Sequence, residues 1–344
     1  MSAPRREAPP PIVDVAITAY RRATFVAEAV ESVLDQRFER WRLTICDNGR
    51  GGGEVERATA PYLADARVTY VAAGRELTLA ENWTRAVAQG RGAYVALLND
   101  DDRWHPAFLE DRIAALDAHP ECGFAFAECM LVDEVGRPLL RAPARFREGV
   151  LSREELARRL TRENVVVPPT IVVRRAAYEA VGAAFDGRWH YCDWEMWARL
   201  AARFPAYYLH RQDNDYRRHA QVNTFATTED PERLLAFVDH LEQLFSASLP
   251  GFELGGRDRR RNRSRILLGA AADVHQGGGW AASSALHRRA IREHPPAALE
   301  RASLAMLGRS LLGRRGRRVV GRALEPIRRR RQRKAESAGA ERAA

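Results

Sequence analysis

The stretch Ala93–Pro106, AYVALLNDDDRWHP, constrains the fold more than any other. Tyr94-Val95-Ala96-Leu97-Leu98 is an apolar run of strand length, as expected of a strand buried on both faces. It ends abruptly in Asn99-Asp100-Asp101-Asp102. A buried strand that delivers three carboxylates to its C-terminal end puts them where open α/β sheets bind ligands. Adjacent carboxylates repel one another, and burying them without partners is costly. A divalent cation resolves the conflict. Oxygen-only ligands suit Mg2+ or Mn2+, and such a metal commonly takes one or two carboxylates plus the phosphates of a substrate. The plainer alternative is a capped loop, with Asp102 as the N-cap of a helix from Pro106 to Ala118. We expect the cap role for Asp102 and the metal role for its neighbours.

The 344 residues suffice for one large α/β domain with an appendage, and a hydrophobic content of 46% provides a core. No stretch approaches the roughly 20 apolar residues of a membrane span. The opening MSAPRREAPPP has no apolar core of a secretory signal, so residues 1–10 are expected to be a disordered lead and the protein cytoplasmic. Cys46, Cys122, Cys129 and Cys192 form no CxxC pair and are expected to be reduced, buried thiols. The net charge of +10 suggests nucleic acid until it is located: residues 301–334 alone carry about +12, which leaves about −2 elsewhere. The basicity belongs to a tail, and no specific nucleic-acid partner is expected of the fold.

Along the chain, Ile12–Ile17 reads as a first strand running into Thr18-Ala19-Tyr20-Arg21-Arg22, and a helix follows with Phe25, Ala29, Val33 and Leu34 at helical spacing. Trp41–Cys46 is a second strand ending in Asp47-Asn48-Gly49, and Arg67–Val71 a third. Leu79–Gln89 is a helix before the acidic strand. Strands alternating with helices argue a parallel sheet covered on both faces. Thr18/Tyr20, Asp47/Asn48 and Asp100/Asp101 then converge on one edge of that sheet. Gly123–Ala127 is expected to be a further strand continuing through Met130–Val132. Val165–Val173, broken by Pro168 and Pro169, is expected to be extended, its first half an edge or bulge. Asp193 stands at the start of a helix whose apolar face includes Trp194, Trp197 and Leu200. It is readable as a cap or, where the helix opens onto a pocket, as a base.

Taken in order, these residues resemble the family 2 glycosyltransferases of the GT-A fold over about residues 12–225. The points of contact are Thr18-Ala19-Tyr20-Arg21, Ser32-Val33-Leu34-Asp35-Gln36, Cys46-Asp47-Asn48-Gly49, Asn82 to Gly92, the acidic loop Asn99–Asp102, Cys192-Asp193-Trp194 and His219. The resemblance implies an α/β GT-A fold, a Rossmann-like mixed sheet flanked by helices, over residues 11–228. It implies a nucleotide-diphosphate sugar as donor and a hydroxyl-bearing acceptor, lipid-linked in many members: cell-surface glycan, glycolipid or natural product. It also implies roles. Tyr20 would stack on the nucleotide base with Thr18 supporting it, and Asp47 would accept from the base ring N–H. Asp100 would contact the ribose or sugar. Asp101 and His219 would bind Mn2+ or Mg2+, and Asp193 would be the general base in an inverting transfer. A cation neutralises charge on the leaving diphosphate, and a carboxylate activates the poorly nucleophilic hydroxyl. The chain departs from the family pattern at Asn99, in the first place of the acidic loop, and at Cys192, in the first place of the acidic pair. The Gln-x-x-Arg-Trp motif of processive synthases is absent, so one sugar per encounter is implied. The two departures motivate an alternative, a catalytically degenerate module that binds nucleotide sugar without turnover.

Residues 229–300 read as a helical appendage. Leu234 to Phe245 forms one amphipathic stretch, and Ile266–Val274 and Ala281–Ile291 form a pair around Gly277-Gly278-Gly279. In residues 301–344, arginines interleave with Leu304, Leu307, Leu311, Val319 and Leu324. Basic amphipathic segments of this kind lie on anionic membrane surfaces. Residues 301–334 are therefore expected to give a peripheral position at the inner face of the membrane.

Overall fold

The computed structural model describes residues 13–141, 145–218, 230–276 and 279–299. The first half alternates as its sequence pattern requires: β1 (Val13–Ala19), α1 (Ala23–Leu34), β2 (Trp41–Asp47), α2 (Glu54–Thr59), β3 (Val68–Ala72), α3 (Leu79–Val87) and β4 (Tyr94–Asn99). The short β5 (Arg103–Trp104) and α4 (Phe108–Ala118) follow, then β6 (Phe124–Ala127), β7 (Met130–Val132), β8 (Pro138–Arg141), β9 (Gly149–Leu151) and α5 (Arg153–Leu160). After β10 (Val172–Arg174) and α6 (Arg175–Val181) come α7 (Cys192–Arg203), β11 (Ala206–Leu209) and β12 (Asn214–Arg217). Three helices complete the described chain: α8 (Pro231–Ser248), α9 (Gly256–Gln276) and α10 (Trp280–Glu293). Among the described residues, no helix is long and apolar enough to cross a membrane.

The main sheet has eight strands in the order β3-β2-β1-β4-β10-β6-β11-β9. β1 to β4 are mutually parallel, with Thr18 level with Cys46 on one side and Asn99 on the other. One face packs Val13, Val15, Ile17, Leu43 and Ile45 against Val26, Val30 and Val33 of α1 and Leu109 and Ile113 of α4. This is the doubly covered sheet that the unbroken apolar strands demand. β10 enters it antiparallel to both β4 and β6, so the sheet is mixed, as the family resemblance implies and chain order alone does not.

Three expectations are corrected. Residues 123–132 are two strands: β6 lies in the main sheet, and β7 joins a second sheet ordered β5-β12-β7-β8. The break falls at Glu128, whose carbonyl accepts from Asn214 Nδ2 at 2.9 Å and whose carboxylate accepts from Arg145 N at 3.2 Å. The first half of Val165–Val173, expected to be an edge or bulge, pairs with no strand among the described residues; the prolines at 168 and 169 form a 3-10 turn, and the residues after it pair as an interior strand. The N-cap of α4 is Ala107, without a side-chain cap, because the Asp102 carboxylate is engaged elsewhere.

The described residues fall into two compact units, the first running up to Arg218 and including Glu232–Arg259, the second made of Arg260 onward with the short stretch before Glu232. In the second, Ser283 Oγ of α10 donates to Ala271 O of α9 at 2.7 Å, and Leu267, Ala271, Leu286 and Ala290 are buried. The expected pair of helices is present, with α9 beginning ten residues earlier than its apolar pattern suggests (Gly256 against Ile266). The lead expected over residues 1–10, His219 and the basic tail over residues 301–344 lie outside the described residues.

The two sheets are joined through a buried ion pair. Arg112 of α4, with no exposed surface, donates two parallel hydrogen bonds to Asp213 at 2.6 and 2.8 Å and a third to Thr170 O at 2.9 Å. Burial alone would raise the Asp213 carboxyl, but Arg112 holds it below the usual range. Arg112→Ala would strand that carboxylate, and breaking a buried pair from one side costs about 3–5 kcal/mol. A loss of that size in urea unfolding at pH 7 is the expected result.

Candidate active site

Parallel register carries the ends of β1, β2 and β4 to one edge of the main sheet. Thr18 Oγ1, one residue before the end of β1, lies 3.5 Å from Oδ1 of Asn99, the last residue of β4. Beyond Thr18 the chain turns sharply: Arg21 has φ +56°, a left-handed conformation uncommon outside glycine. The turn aims the Tyr20 N–H at Asp100 Oδ2, at 2.7 Å, and brings the Arg22 guanidinium over the acidic loop.

Asp100, Asp101 and Asp102 are all buried, and no two are held alike. Arg22 Nη1 bridges Asp100 Oδ1 at 2.9 Å and Asp101 Oδ2 at 2.7 Å. Asp102 accepts from Arg217 N at 2.9 Å and from Asn99 Nδ2 at 2.9 Å. Arg217 is itself buried, donating to Asp101 O at 2.9 Å and to Glu28 at 2.6 Å. Burial, and then the charge of Asp101, pushes the Asp100 carboxyl up to about 7, with Arg22 and the Tyr20 N–H opposing. Asp102 is driven well above the usual range for the same first two reasons. Asp101 is the most open of the three, at 7% exposure against 1% for each neighbour. It is the carboxylate placed to meet a ligand, and its oxygen chemistry fits a hard divalent cation.

On the neighbouring strand, Asp47 accepts from Tyr70 Oη at 2.5 Å, and its carbonyl accepts from Arg85 at 2.8 Å. Asn48 is tied to the backbone of Leu77 in both directions, 2.9 Å from its Nδ2 and 2.7 Å to its Oδ1. These bonds fold the loop before α3 back over the strand end. Tyr20 Oη donates to Glu76 on that loop, and Arg21 pairs with the same carboxylate at 3.1 Å while lying over the Tyr20 ring.

Asp193 is linked to this edge by another route. β10 runs against β4, with Arg174 opposite Tyr94 and Val172 opposite Ala96, so the residues before β10 climb toward the acidic loop. Trp104 Nε1, just past that loop, donates to Pro169 O at 2.8 Å. A few residues before Pro169, Asn164 Nδ2 donates to Asp193 Oδ2 at 2.9 Å. Asp193 lies in the first turn of α7, not at its cap; Tyr191 is the N-cap and makes no side-chain capping bond. Burial pushes the Asp193 carboxyl up to about 6, against the Trp194 N–H and Asn164, which favour the charged form. The neighbouring Cys192 side chain is buried, and burial raises its thiol further from ionisation.

The edge therefore carries Thr18, Tyr20, Asp47, Asp100 and Asp101, and Asp193 is linked to it through Asn164 and the chain leading to Pro169. His219 is outside the described residues, and among those described no three His, Cys, Asp or Glu side chains group as a metal site. Sequence patterning did not single out Arg22, Arg217, Tyr70 or Asn164. Only Arg22 left a trace there, a basic residue closing the first strand's polar end.

Residues 14–182 match the family model described as glycosyl transferase family 2. They are a family 2 glycosyltransferase domain. Among curated relatives, this domain is 29% identical over 131 residues to the protein named teichuronic acid biosynthesis glycosyltransferase TuaG of Bacillus subtilis, covering 38% of this chain and 51% of that one. It is 27% identical over 128 residues to the glycosyltransferase named EpsE of the same organism, covering 37% and 46%. The chain thus matches about half the length of these relatives. Among solved structures, S. aureus TarS 1-349 in complex with UDP-GlcNAc aligns with a TM-score of 0.56 at 13% identity, covering 82% of this chain and 91% of that one. The mannosyltransferase PcManGT from Pyrobaculum calidifontis, in complex with GDP-Man and Mn2+, aligns at 0.50 with 14% identity, covering 86% and 83%. These likenesses establish the GT-A fold of the glycosyltransferase domain.

Within the domain the Arg22 bridge holds the acidic loop together. Arg22→Ala would leave Asp100 and Asp101 buried without it, at a cost of about 3–5 kcal/mol where both are ionised. Protonation relieves that repulsion, so the loss should be largest above pH 7 and shrink toward pH 5. Thermal unfolding of the variant across that range reads it.

Proposed function

We propose that the protein is a metal-dependent inverting glycosyltransferase that moves a sugar from a nucleotide-diphosphate sugar to an acceptor hydroxyl. What supports the reading is the run of contacts from the acidic loop through Trp104 and Pro169 to Asn164, whose amide binds the Asp193 carboxylate. A donor bound over β1 and β2 presents its sugar between the two sets of carboxylates. Tyr20 and Asp47 frame the base, with Asp47 held at one oxygen by Tyr70 and open to accept from a ring N–H at the other. Asp100, fixed by Arg22 and the Tyr20 N–H, meets the ribose or sugar.

Asp101, with His219, would hold Mn2+ or Mg2+, which when bound neutralises charge on the departing diphosphate. Asp193 takes the proton from the acceptor hydroxyl as its oxygen attacks the anomeric carbon from the side opposite the leaving group. One carboxylate suffices, and the anomeric configuration inverts. A carboxyl near 6 is roughly 90% ionised at pH 7 yet more basic than an ordinary aspartate, which suits a general base. The nucleotide-sugar complexes of TarS and PcManGT support a nucleotide-sugar donor for this chain, and the Mn2+ in the latter supports the metal. The names of the bacterial relatives favour a cell-surface glycan acceptor, and residues 301–334 would bring the domain to a membrane-borne one.

UDP-, GDP- and dTDP-sugars with Mn2+ should raise the melting temperature, with one nucleotide class clearly ahead and a smaller shift when the metal is withheld. Asp193→Asn should lower kcat by about 10²–10⁴-fold, the usual worth of a general base, with donor KM nearly unchanged. Nucleotide binding without turnover on any donor, in wild type and variant alike, would instead favour the degenerate binding module. In the active enzyme kcat should rise with pH through about 6, because the base works only when ionised.

A further inference from the structure

The carboxylate of Asp193 receives one side-chain hydrogen bond among the described residues, from Asn164 Nδ2. Among the described residues the oxygen of the same amide is buried without a partner. A buried carbonyl oxygen left unpaired is destabilising. Reversing the amide would set that oxygen against a carboxylate, which is worse. The orientation of Asn164 is thus dictated by Asp193, and local stability is given up to keep a donor there. The backbone around the pair is held from two sides. Arg145 Nη1 donates to Asn164 O at 3.4 Å, and Trp194 Nε1 of α7 donates to Leu160 O, at the end of α5, at 2.9 Å.

Other charged groups near Asp193 are engaged with each other. Glu195 on α7 pairs with Arg199 at 2.9 Å and with His240 of α8 at 3.5 Å. Glu163 beside Asn164 pairs with Arg159 at 3.4 Å and lies 3.9 Å from Arg145. The Cys192 thiol and the His190 ring are both held toward their neutral forms by burial. On α6, Arg175 binds Asp14 at 2.7 Å. Among the described residues no cation forms an ion pair with Asp193, so an amide is the group left to steady it.

We propose that Asn164 is the positioning residue of the acceptor-activating base. Its amide fixes the rotation of the Asp193 carboxylate and favours the charged form against burial. This rests on reading Asp193 as the base.

The test uses the full chain with its aspartate side-chain carboxyls labelled with ¹³C. The resonance missing in Asp193→Asn is that of Asp193, and its titration needs no substrate. In Asn164→Leu, of similar volume but without a donor, the midpoint should move up by about one pH unit, a tenfold change in ionisation constant. In Asn164→Ser, which keeps a short donor, it should return part of the way. With UDP-GlcNAc as the probe donor, the acidic limb of kcat should follow the same shift while donor KM stays within about twofold, as expected for loss of an interaction that acts on the base and not on donor binding. A midpoint that does not move in either folded variant overturns the proposal. If Asp193→Asn is inactive, that result leaves the base reading intact. Turnover by Asp193→Asn at the wild-type rate overturns the base reading itself, and the proposal with it.

Discussion

Three ionisable carboxylates in a row at the end of a buried strand are the constraint on which this structure turns. Left to themselves they would not stay charged, and burial drives Asp100 and Asp102 toward protonation. The fold answers from two directions. Arg22 comes from the turn after β1, Arg217 from β12 of the second sheet, and a backbone N–H from each of the same two places. The second sheet thus has a purpose that its short strands do not suggest. Through Arg217 and the Arg112–Asp213 pair it closes the acidic loop from below, leaving Asp101 nearest the surface.

The donor half of the site was legible in the sequence because it lies where strand patterning changes. An apolar run that stops at a polar cluster marks the end of a buried strand, and parallel strands stack such ends on one edge. Thr18, Asp47 and Asp100 needed no other information. The partners of these residues were not legible, because each is chosen by contact across a long stretch of chain and not by period. Arg22 meets Asp101 across 79 positions and Arg217 meets it across 116. Nothing local to either arginine distinguishes it from the many others in an arginine-rich chain. The same limit explains the run from Gly123 to Val132, where hydrophobicity continues while the strand changes sheets. The break is set by Asn214 and Arg145, whose contacts with Glu128 the local pattern does not encode.

The acceptor half is a different kind of structure. β10 runs opposite to its neighbours and delivers its preceding loop, not its end, to the active edge. A parallel strand would have placed a strand terminus there, with its register fixing every side chain. A loop has no such register, so Asn164 must be set by the contacts of Arg145 and Asp193. This is also why a lone Asn in an irregular, arginine-rich stretch gave no signal: its importance comes from the antiparallel insertion, which chain order does not announce.

The two halves therefore hold their carboxylates by opposite means. At the acidic loop the Arg22 counter-charge offsets part of the burial that drives Asp100 toward protonation. On the acceptor side no cation forms an ion pair with Asp193 among the described residues, and its charge rests on the amides of the α7 first turn and on Asn164. A guanidinium against Asp193 would make it a weaker base than a hydrogen-bonding amide leaves it. A dipole steadies the carboxylate without neutralising it. If the function is as proposed, the difference fits the work of each side: a cluster that meets the donor, and a base that gains and releases a proton in every cycle.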